Sequence, residues 1–400
     1  MDKTSKIIWA SCLGNSMEFY GLTLYAGLIP QISDTFFPET SNSILMGLLT
    51  FGVSFFFRPL GGLICGRIGD IKGRKAVINW SITLMGLANI IIAFLPSYQS
   101  WGMFSMAILV LCRVIQGFCV GIEYSGAFTF GLEHAPAKDR SRIGGWISGS
   151  CFFGFALGLI FTQCAEYLPP HYWRLGFLLS SIFTITAIFL RQKLGESPEF
   201  LMEKEKSIAT QPVISWPLAR KAFIFSCSDG MLTYTVGGFL LVYLTHYMSF
   251  DKTLILRVIT GFIILISFMC VGFAKITKSI KPITLFKYAL VIGSITLPPL
   301  FTWVATTHST LALTLLLLAT SALTACFVGI QPIILYQIIP VKERMTTSSV
   351  GYNSGLAITG GLLPVMFAWI IEKTGCISSP GYILSFLLLV ILYSTQKQKL

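Results

Sequence analysis

FFFRPLGGLICGRIGDIKGRK, residues 55–75, decides the fold of this chain. The stretch begins inside a long apolar segment and ends in a short basic turn, and a second apolar segment, residues 76–94, follows at once. Two runs of membrane-spanning length joined by so short a turn must lie antiparallel. Because lysine and arginine favour cytoplasmic loops, the turn is predicted to face the cytoplasm. Asp70 is a lone acid in this basic turn, and we expect it to have a specific partner.

The turn carries a motif of one class of membrane protein. Gly66, Asp70, Gly73, Arg74 and Lys75 resemble the G-x-x-x-D-x-x-G-R-[KR] loop between helices 2 and 3 of the major facilitator superfamily of transporters. The preceding FRPLGG narrows the resemblance to the metabolite:proton symporter branch, which includes proline/betaine, shikimate, citrate and 2-oxoglutarate carriers. The resemblance implies an all-α membrane protein with twelve transmembrane helices in two six-helix repeats. Glycines at 62, 66 and 69 are expected to let neighbouring backbones approach.

Composition agrees with a helical membrane protein. The chain is 54% hydrophobic and 12% charged, whereas a soluble globular protein is about 25% charged. The net charge of +12 could suggest a nucleic-acid partner, but only Lys252 and Lys373 lie in predicted external loops. This asymmetry predicts that both termini are cytoplasmic and that nucleic acid is not a partner. The ten cysteines are scattered without C-x-x-C or Cys/His clusters, so we expect no metal site and no cofactor.

Twelve spans are predicted, each near the 20 or so residues that a hydrocarbon core requires. They cover residues 7–29, 44–66, 76–95, 102–131, 143–167, 173–191, 221–248, 253–274, 282–304, 308–335, 346–371 and 378–395. The first is interpreted as a retained span because it lacks a small-residue cleavage site. The Lys- and Glu-rich segment 192–220 is predicted to be a cytoplasmic loop between an N-terminal bundle, 1–191, and a C-terminal bundle, 221–400. PAKDR at 136–140 is echoed by PVKER at 340–344, which favours repeated halves.

Span 1 contains an acid within a recognisable pattern. GNSMEFYG, residues 14–21, resembles the branch's first-helix pattern G-N-x-x-E-W-[FY]-D, and Gly21 stands where many relatives have aspartate. Glu18 lies about 16 Å from the start of the span at about 1.5 Å per residue. Charged residues at such depth are costly and indicate function, so Glu18 is predicted to contact substrate or to carry a proton. The alternative is a structural partner for an intramembrane arginine.

Span 4 carries a polar stripe. Arg113, Gln116, Val120 and Glu123 recur at helical spacing and are predicted to share one face. The surrounding RVIQGFCVGIEYSGA, residues 113–127, resembles the branch's R-x-x-Q-G-x-x-x-G-x-E-[YF]-G-G-A pattern. Arginine suits a carboxylate because its planar fork donates two parallel hydrogen bonds, so Arg113 and Gln116 are predicted to bind substrate. The alternative for Arg113 and Glu123 is ion pairing between helices.

Three acids are candidate proton carriers, because a carboxylate in a low-dielectric site can gain and lose a proton near neutrality. They are Glu18, Glu123 and Asp229, the last in span 7. Arg58 and Arg257 are predicted to lie near the interface and reach the headgroups.

Several aromatic residues could surround a quaternary ammonium through cation–π attraction. The candidates for substrate contact are Tyr20, Tyr124 and Tyr234, with Phe19, Tyr25 and Tyr352 near them in the pattern. The alternative for each is ordinary packing.

The resemblance also implies a cytoplasmic gate of charged helix ends. Its members are Gly66, Asp70, Gly73, Arg74, Lys75, Glu133, Arg140 and Arg344. The alternative is that these charges serve only topology and anchoring.

These observations imply a secondary active transporter and not an enzyme, since P-loop and catalytic motifs were not found in the sequence. We expect proton-coupled symport of a small carboxylate-bearing metabolite or zwitterionic osmolyte, similar to proline or betaine, by alternating access. The expected partners are the small-molecule substrate, protons and the lipid bilayer of a bacterial inner membrane, and the expected functional form is a monomer. The alternatives are a di- or tricarboxylate or other organic-acid carrier, which would need a second cationic clamp, and a non-transporting substrate sensor.

Overall fold

The computed structural model describes residues 3–38, 43–169, 171–206 and 214–397, and the regular structure in these ranges is entirely helical. Ten helices in the described residues are long and apolar enough to cross a membrane. They confirm the prediction of an all-α membrane protein. The number of twelve spans and the two repeats stay predictions.

The helices are numbered in chain order. The earlier ones are α1 (Lys3–Gly27), α2 (Ile29–Phe36), α3 (Ser43–Lys72), α4 (Arg74–Phe94), α5 (Tyr98–Trp101), α6 (Met103–His134), α7 (Arg140–Ala165), α8 (Leu175–Gln192) and α9 (Pro198–Lys206). The later ones are α10 (Trp216–Tyr234), α11 (Leu240–Val242), α12 (Lys252–Ile276), α13 (Pro282–Thr307), α14 (Thr310–Ile338), α15 (Arg344–Thr374) and α16 (Ser379–Lys397). Two π-helical turns, Thr235–Phe239 and Tyr243–Tyr247, flank α11 and make the predicted seventh span irregular. Neither this segment nor α1 is among the ten apolar helices.

The chain forms two compact units. Unit 1 comprises Met1–Asp139, Ser150–Ser215 and Ile339–Val350. Unit 2 comprises Arg140–Gly149, Trp216–Ile338 and Gly351–Leu400. The first two turns of α15 therefore belong to unit 1 and the rest of that helix to unit 2.

One residue joins α3 to α4. Gly73 has φ +120°, a conformation that glycine adopts at little cost, and its N–H donates to the carbonyl of Gly69 at 3.2 Å. A side chain at this position would also collide with the carboxylate of Glu196. The turn is therefore as short as the sequence predicts.

Glycines bring the backbones of α3 and α6 into contact. A side chain at Gly117 would collide with the backbone of Ser54, and one at Gly121 would collide with the backbone of Arg58. In the same way, α7 approaches α1, since a side chain at Gly154 would meet the backbone of Ser16. The predicted close approach at Gly66 is also present, because a Cβ there would lie 2.7 Å from the Cα of Thr346.

The predicted loop 192–220 contains a helix that the prediction missed. In α9, Ser197 is the capping residue, its hydroxyl accepts a hydrogen bond from the N–H of Phe200 at 3.2 Å, and Pro198 follows as the first helical residue. Serine followed by proline is a typical helix start. Residues 207–213 of the predicted loop lie outside the described residues.

The PAKDR and PVKER motifs adopt the same local structure. Each contains a 3-10 turn, Ala137–Asp139 or Val341–Glu343, and each leads into a long helix. The sequence echo therefore corresponds to a shared way of starting α7 and α15.

Candidate functional site

Unit 1 contains a small cavity lined by residues of four helices. Its volume is about 20 Å³, which is room for about one water molecule. The lining residues are Glu18, Gly21 and Leu22 of α1, Ser54, Phe55 and Arg58 of α3, Met85 of α4, and Arg113, Gln116 and Val120 of α6. The cavity thus brings together three residues predicted to contact substrate: Glu18, Arg113 and Gln116.

Arg113 presents one unoccupied edge of its guanidinium. Its Nη1 donates to the Oε1 of Gln116 at 2.7 Å, while Nε and Nη2 have no hydrogen-bond partner among the described residues. The side chain is 3% exposed, so bulk water does not satisfy these donors. Two adjacent N–H groups on one edge are the arrangement that binds a carboxylate through two parallel bonds.

A hydrogen-bond relay holds Arg113 in place. Gln116 donates from Nε2 to the Oδ1 of Asn89 at 2.6 Å, and the guanidinium of Arg113 lies 4.1 Å from the centroid of the Tyr25 ring. Asn89 is fully buried in α4 and was missed by the sequence reasoning. A polar side chain in an otherwise apolar span is the signal that could have found it.

Glu18 faces the same cavity and pairs with Arg58. Its Oε1 lies 3.4 Å from the Nη2 of Arg58, whereas its Oε2 has no hydrogen-bond partner in the described part of the chain. The prediction that Arg58 reaches the headgroups is wrong, because this residue is 1% exposed inside the protein. A neighbouring carboxylate compensates its charge, so it need not extend to water. Arg257 is exposed near the start of α12.

Glu123 takes part in an ion pair outside the cavity. It forms a fully buried ion pair with the Nη2 of Arg191 and is not among the cavity-lining residues. Arg191 also donates to the carbonyls of Ala10 and Ile78, each at 2.9 Å, and so connects α8 to α1, α4 and α6. This geometry matches the alternative of helix–helix ion pairing. Arg191 was missed because its position at a predicted span end suggested the cytoplasm.

Two predicted site residues belong to unit 2. Asp229 is 2% exposed and accepts a hydrogen bond at its Oδ1 from the hydroxyl of Thr233 at 2.9 Å. The ring of Tyr234 packs where Gly360 leaves room for it.

The other predicted aromatic contacts are engaged in packing. The Tyr20 hydroxyl donates to the carbonyl of Gly176 at 2.9 Å, and Tyr124 forms an edge-on contact with Phe128 at 5.6 Å. Among the described residues that line the cavity, the one aromatic residue is Phe55.

Asp70 has the specific partner that its sequence context predicts. Its carboxylate accepts hydrogen bonds from the N–H groups of Met345 at 3.1 Å and Thr346 at 2.8 Å, in the first turn of α15. The Thr346 hydroxyl donates as well, at 2.6 Å, and Arg74 lies 3.3 Å away. An acid at a helix N-terminus satisfies unpaired N–H groups and is favoured by the helix dipole.

A buried ionic network adjoins this cap. Arg74 contacts Glu133 at 3.2 Å, and Arg344 contacts the same glutamate at 2.8 Å. The missed helix α9 contributes two members, since Ser197 donates to Glu133 and Glu199 lies 2.9 Å from Arg344. The network thus contains four of the predicted gate residues, Asp70, Arg74, Glu133 and Arg344, all within unit 1.

Two predicted gate residues have other contacts. The ammonium of Lys75 donates to the carbonyl of Gln192 at 3.2 Å, at the end of α8, where cations are favoured. Arg140, in unit 2, stacks on the ring of Tyr336 at 4.7 Å.

The relatives of this chain are transporters. Residues 7–223 match the family described as sugar (and other) transporter. A putative proline/betaine transporter of Staphylococcus aureus is 30% identical over 96% of this chain and 85% of the relative. The proline/betaine transporter of Escherichia coli is 28% identical over 96% of this chain and 81% of the relative.

Solved structures show the same fold. A major facilitator proton:xylose symporter bound to 6-bromo-6-deoxy-D-glucose matches with a TM-score of 0.77 and 16% identity, over 99% of this chain and 95% of that chain. An outward-facing bacterial homologue of the iron transporter ferroportin matches with a TM-score of 0.74 and 15% identity, over 100% of both chains. The family and its relatives confirm the prediction of a transporter and not an enzyme. The chain belongs to the sugar (and other) transporter family of the major facilitator superfamily.

Proposed function

We propose that the protein couples the uptake of a small carboxylate-bearing metabolite to protons by alternating access. The observation that carries this proposal is the unoccupied Nε/Nη2 edge of Arg113 beside the unit 1 cavity. A buried arginine with two unpaired donors is costly unless a ligand satisfies it. The similarity to proline/betaine transporters supports a small carboxylate-bearing substrate.

Glu18 is the proton carrier that the geometry favours. It lines the same cavity as Arg113 and retains a carboxylate oxygen with no partner among the described residues. Glu123, in contrast, forms an ion pair with Arg191. Asp229 remains the second candidate because it is buried in unit 2.

The cavity must enlarge for transport. A volume of about 20 Å³ accommodates roughly one water molecule and no amino acid. We propose that the cap at Asp70 and the network around Glu133 form the cytoplasmic gate and break during the cycle. We further propose that the protein works as a monomer in a bacterial inner membrane with both termini in the cytoplasm.

Uptake into proteoliposomes tests the function. Labelled proline, betaine, a monocarboxylate and a dicarboxylate would each be offered with and without an inward proton gradient. Gradient-stimulated uptake of a carboxylate compound is the expected result. An uptake rate that is the same with and without the gradient would exclude Glu18 and Asp229 as proton carriers. Binding of a compound without any uptake would support the sensor instead.

A further inference from the structure

The charges that line the unit 1 cavity do not balance. The charged lining residues in the described part of the chain are Glu18, Arg58 and Arg113. Arg58 is paired with Glu18. Arg113 has no carboxylate within ion-pair distance among the described residues, and it contacts the neutral Gln116 and the rings of Tyr25 and Phe51. When Glu18 is ionised, the cavity therefore carries one positive charge in excess.

The nearest further ion pair does not correct this excess. Glu123 is fully buried, but its charge is balanced by Arg191, which is also fully buried. Removing either charge from such a pair is costly, so Glu123 is not available to Arg113. The excess positive charge of Arg113 is therefore available to a negatively charged ligand.

From this imbalance we infer that the transported compound is a small monocarboxylate with a net charge of −1 and no ammonium group. The inference rests on the proposed function and specifies its substrate class. A monoanion places its carboxylate on the free edge of Arg113 and makes the occupied cavity neutral. A buried site with balanced charge is less costly than one with a residual charge.

Other carboxylates fit this cavity less well. A zwitterion adds an ammonium group, and the acid that lines the cavity is already shared with Arg58. A quaternary ammonium would seek several aromatic faces, but Phe55 is the one aromatic lining residue described, and Arg58 lies 5.6 Å from its ring centroid. A dicarboxylate would need a second arginine edge, and the Arg58 guanidinium is held by Glu18.

The glycine at position 21 leaves the excess positive charge of the cavity without a compensating carboxylate. It lines the cavity at the position where the first-helix pattern has aspartate. A Cβ at Gly21 would meet only the Nδ2 of Asn89, at 3.8 Å, which is an ordinary contact. The Cβ of a larger residue therefore fits here without displacing backbone, and the carboxylate of an aspartate at this position would neutralise the excess charge.

The test uses pairs of ligands that differ in charge but not in shape. Cyclopentanecarboxylate is compared with proline, and 3,3-dimethylbutanoate with betaine, by equilibrium binding to the purified full-length protein in lipid nanodiscs. We expect each monoanion to bind at least about tenfold more tightly than its zwitterionic counterpart. In Gly21→Asp the order should reverse, while the uncharged and similarly sized Gly21→Asn should keep the order of the native chain. Thermal melting of both variants checks that they fold.

The outcomes separate the two proposals. If proline or betaine binds as tightly as its monoanionic counterpart, and Arg113→Gln still weakens binding, the charge inference fails and the carboxylate site stands. The inference also fails if folded Gly21→Asp keeps the native preference. If no carboxylate binds, or if Arg113→Gln changes nothing, the proposed function fails with it.

Discussion

Asp70 caps the first turn of α15 by accepting two hydrogen bonds from Thr346, one from its backbone N–H at 2.8 Å and one from its hydroxyl at 2.6 Å. The two residues are far apart in sequence but lie in the same compact unit. The contact ties the end of α3 to the start of α15. If this contact is part of the gate, weakening it should alter the rate of the cycle and leave substrate affinity unchanged.

Asp70→Asn tests this role. Asparagine keeps one acceptor oxygen but loses the charge that interacts with the helix dipole and with Arg74. We expect turnover in proteoliposomes to fall about tenfold, which corresponds to about 1.4 kcal/mol, with substrate affinity within about twofold of the native value. Asp34→Asn removes an exposed acid on α2 and should leave both unchanged. A large loss of affinity in Asp70→Asn would contradict a gating role.

Arg113→Ala should abolish binding of the carboxylate substrate, because the donor edge disappears. Arg113→Lys should restore it only partly, since a point charge cannot replace two parallel N–H groups. Isothermal titration of the purified protein measures both. Arg257→Ala, at an exposed arginine of α12, is the matched control. Unchanged substrate affinity in Arg113→Ala would show that Arg113 does not bind the substrate carboxylate.

Breaking the Glu123–Arg191 pair should mainly affect stability. Arg191→Met leaves a buried carboxylate without its partner, for which about 3–5 kcal/mol is typical. The double variant Glu123→Leu/Arg191→Met should recover much of that loss because both charges are gone. Thermal melting in detergent compares the three proteins. A double variant no more stable than Arg191→Met would show that the backbone contacts of Arg191 matter more than the ion pair.

Ser197→Ala should loosen α9. The change removes both the helix cap and the hydrogen bond to Glu133, and loss of a cap costs about 1 kcal/mol. We expect faster amide hydrogen exchange across Pro198–Lys206. Ser97→Ala, at a half-buried serine whose hydroxyl contacts that of Ser100, should leave exchange in α9 as it is. Equal protection in Ser197→Ala would mean that Glu199 and Phe200 suffice to hold the helix.

Gly121→Ala should disturb the packing of α6 against α3 beside the cavity. The added methyl group would collide with the backbone at Arg58, and overpacking of this kind costs about 1–3 kcal/mol. We expect a lower melting temperature and weaker substrate binding. Gly52→Ala, in α3 with open space at its Cβ, should be neutral or slightly stabilising. Native-like binding in Gly121→Ala would show that the cavity tolerates a shift of α3.

Local patterns were the predictable part of this molecule. The one-residue turn at Gly73 and the partnered acid Asp70 follow from a short motif. The alignment of Arg113 with Gln116 follows from helical spacing. The start of α9 was also readable, because Ser197 and Pro198 form a helix-start pair, although the Lys- and Glu-rich composition of the segment pointed to a loop.

Contacts between distant helices were not predictable in the same way. Composition could not tell whether Arg58 faces lipid or protein, since an arginine can reach the headgroups or pair with a buried acid. The choice of Arg191 as the partner of Glu123 depends on how α6 and α8 pack, which a single sequence does not specify. Asn89 likewise becomes part of the site only through its contact with Gln116.

The glycine contacts also determine which wall of the cavity can move. Backbone lies against backbone where α3 meets α6, and again where α7 meets α1, so each pair is expected to move as one body. The Arg58 and Arg113 side of the cavity then belongs to one such body, and the Glu18 and Gly21 side to the other. The Glu18–Arg58 contact, at 3.4 Å, connects these two bodies across the cavity. This ion pair therefore joins the two walls across the cavity, and it keeps both charged groups engaged while the cavity has its present size.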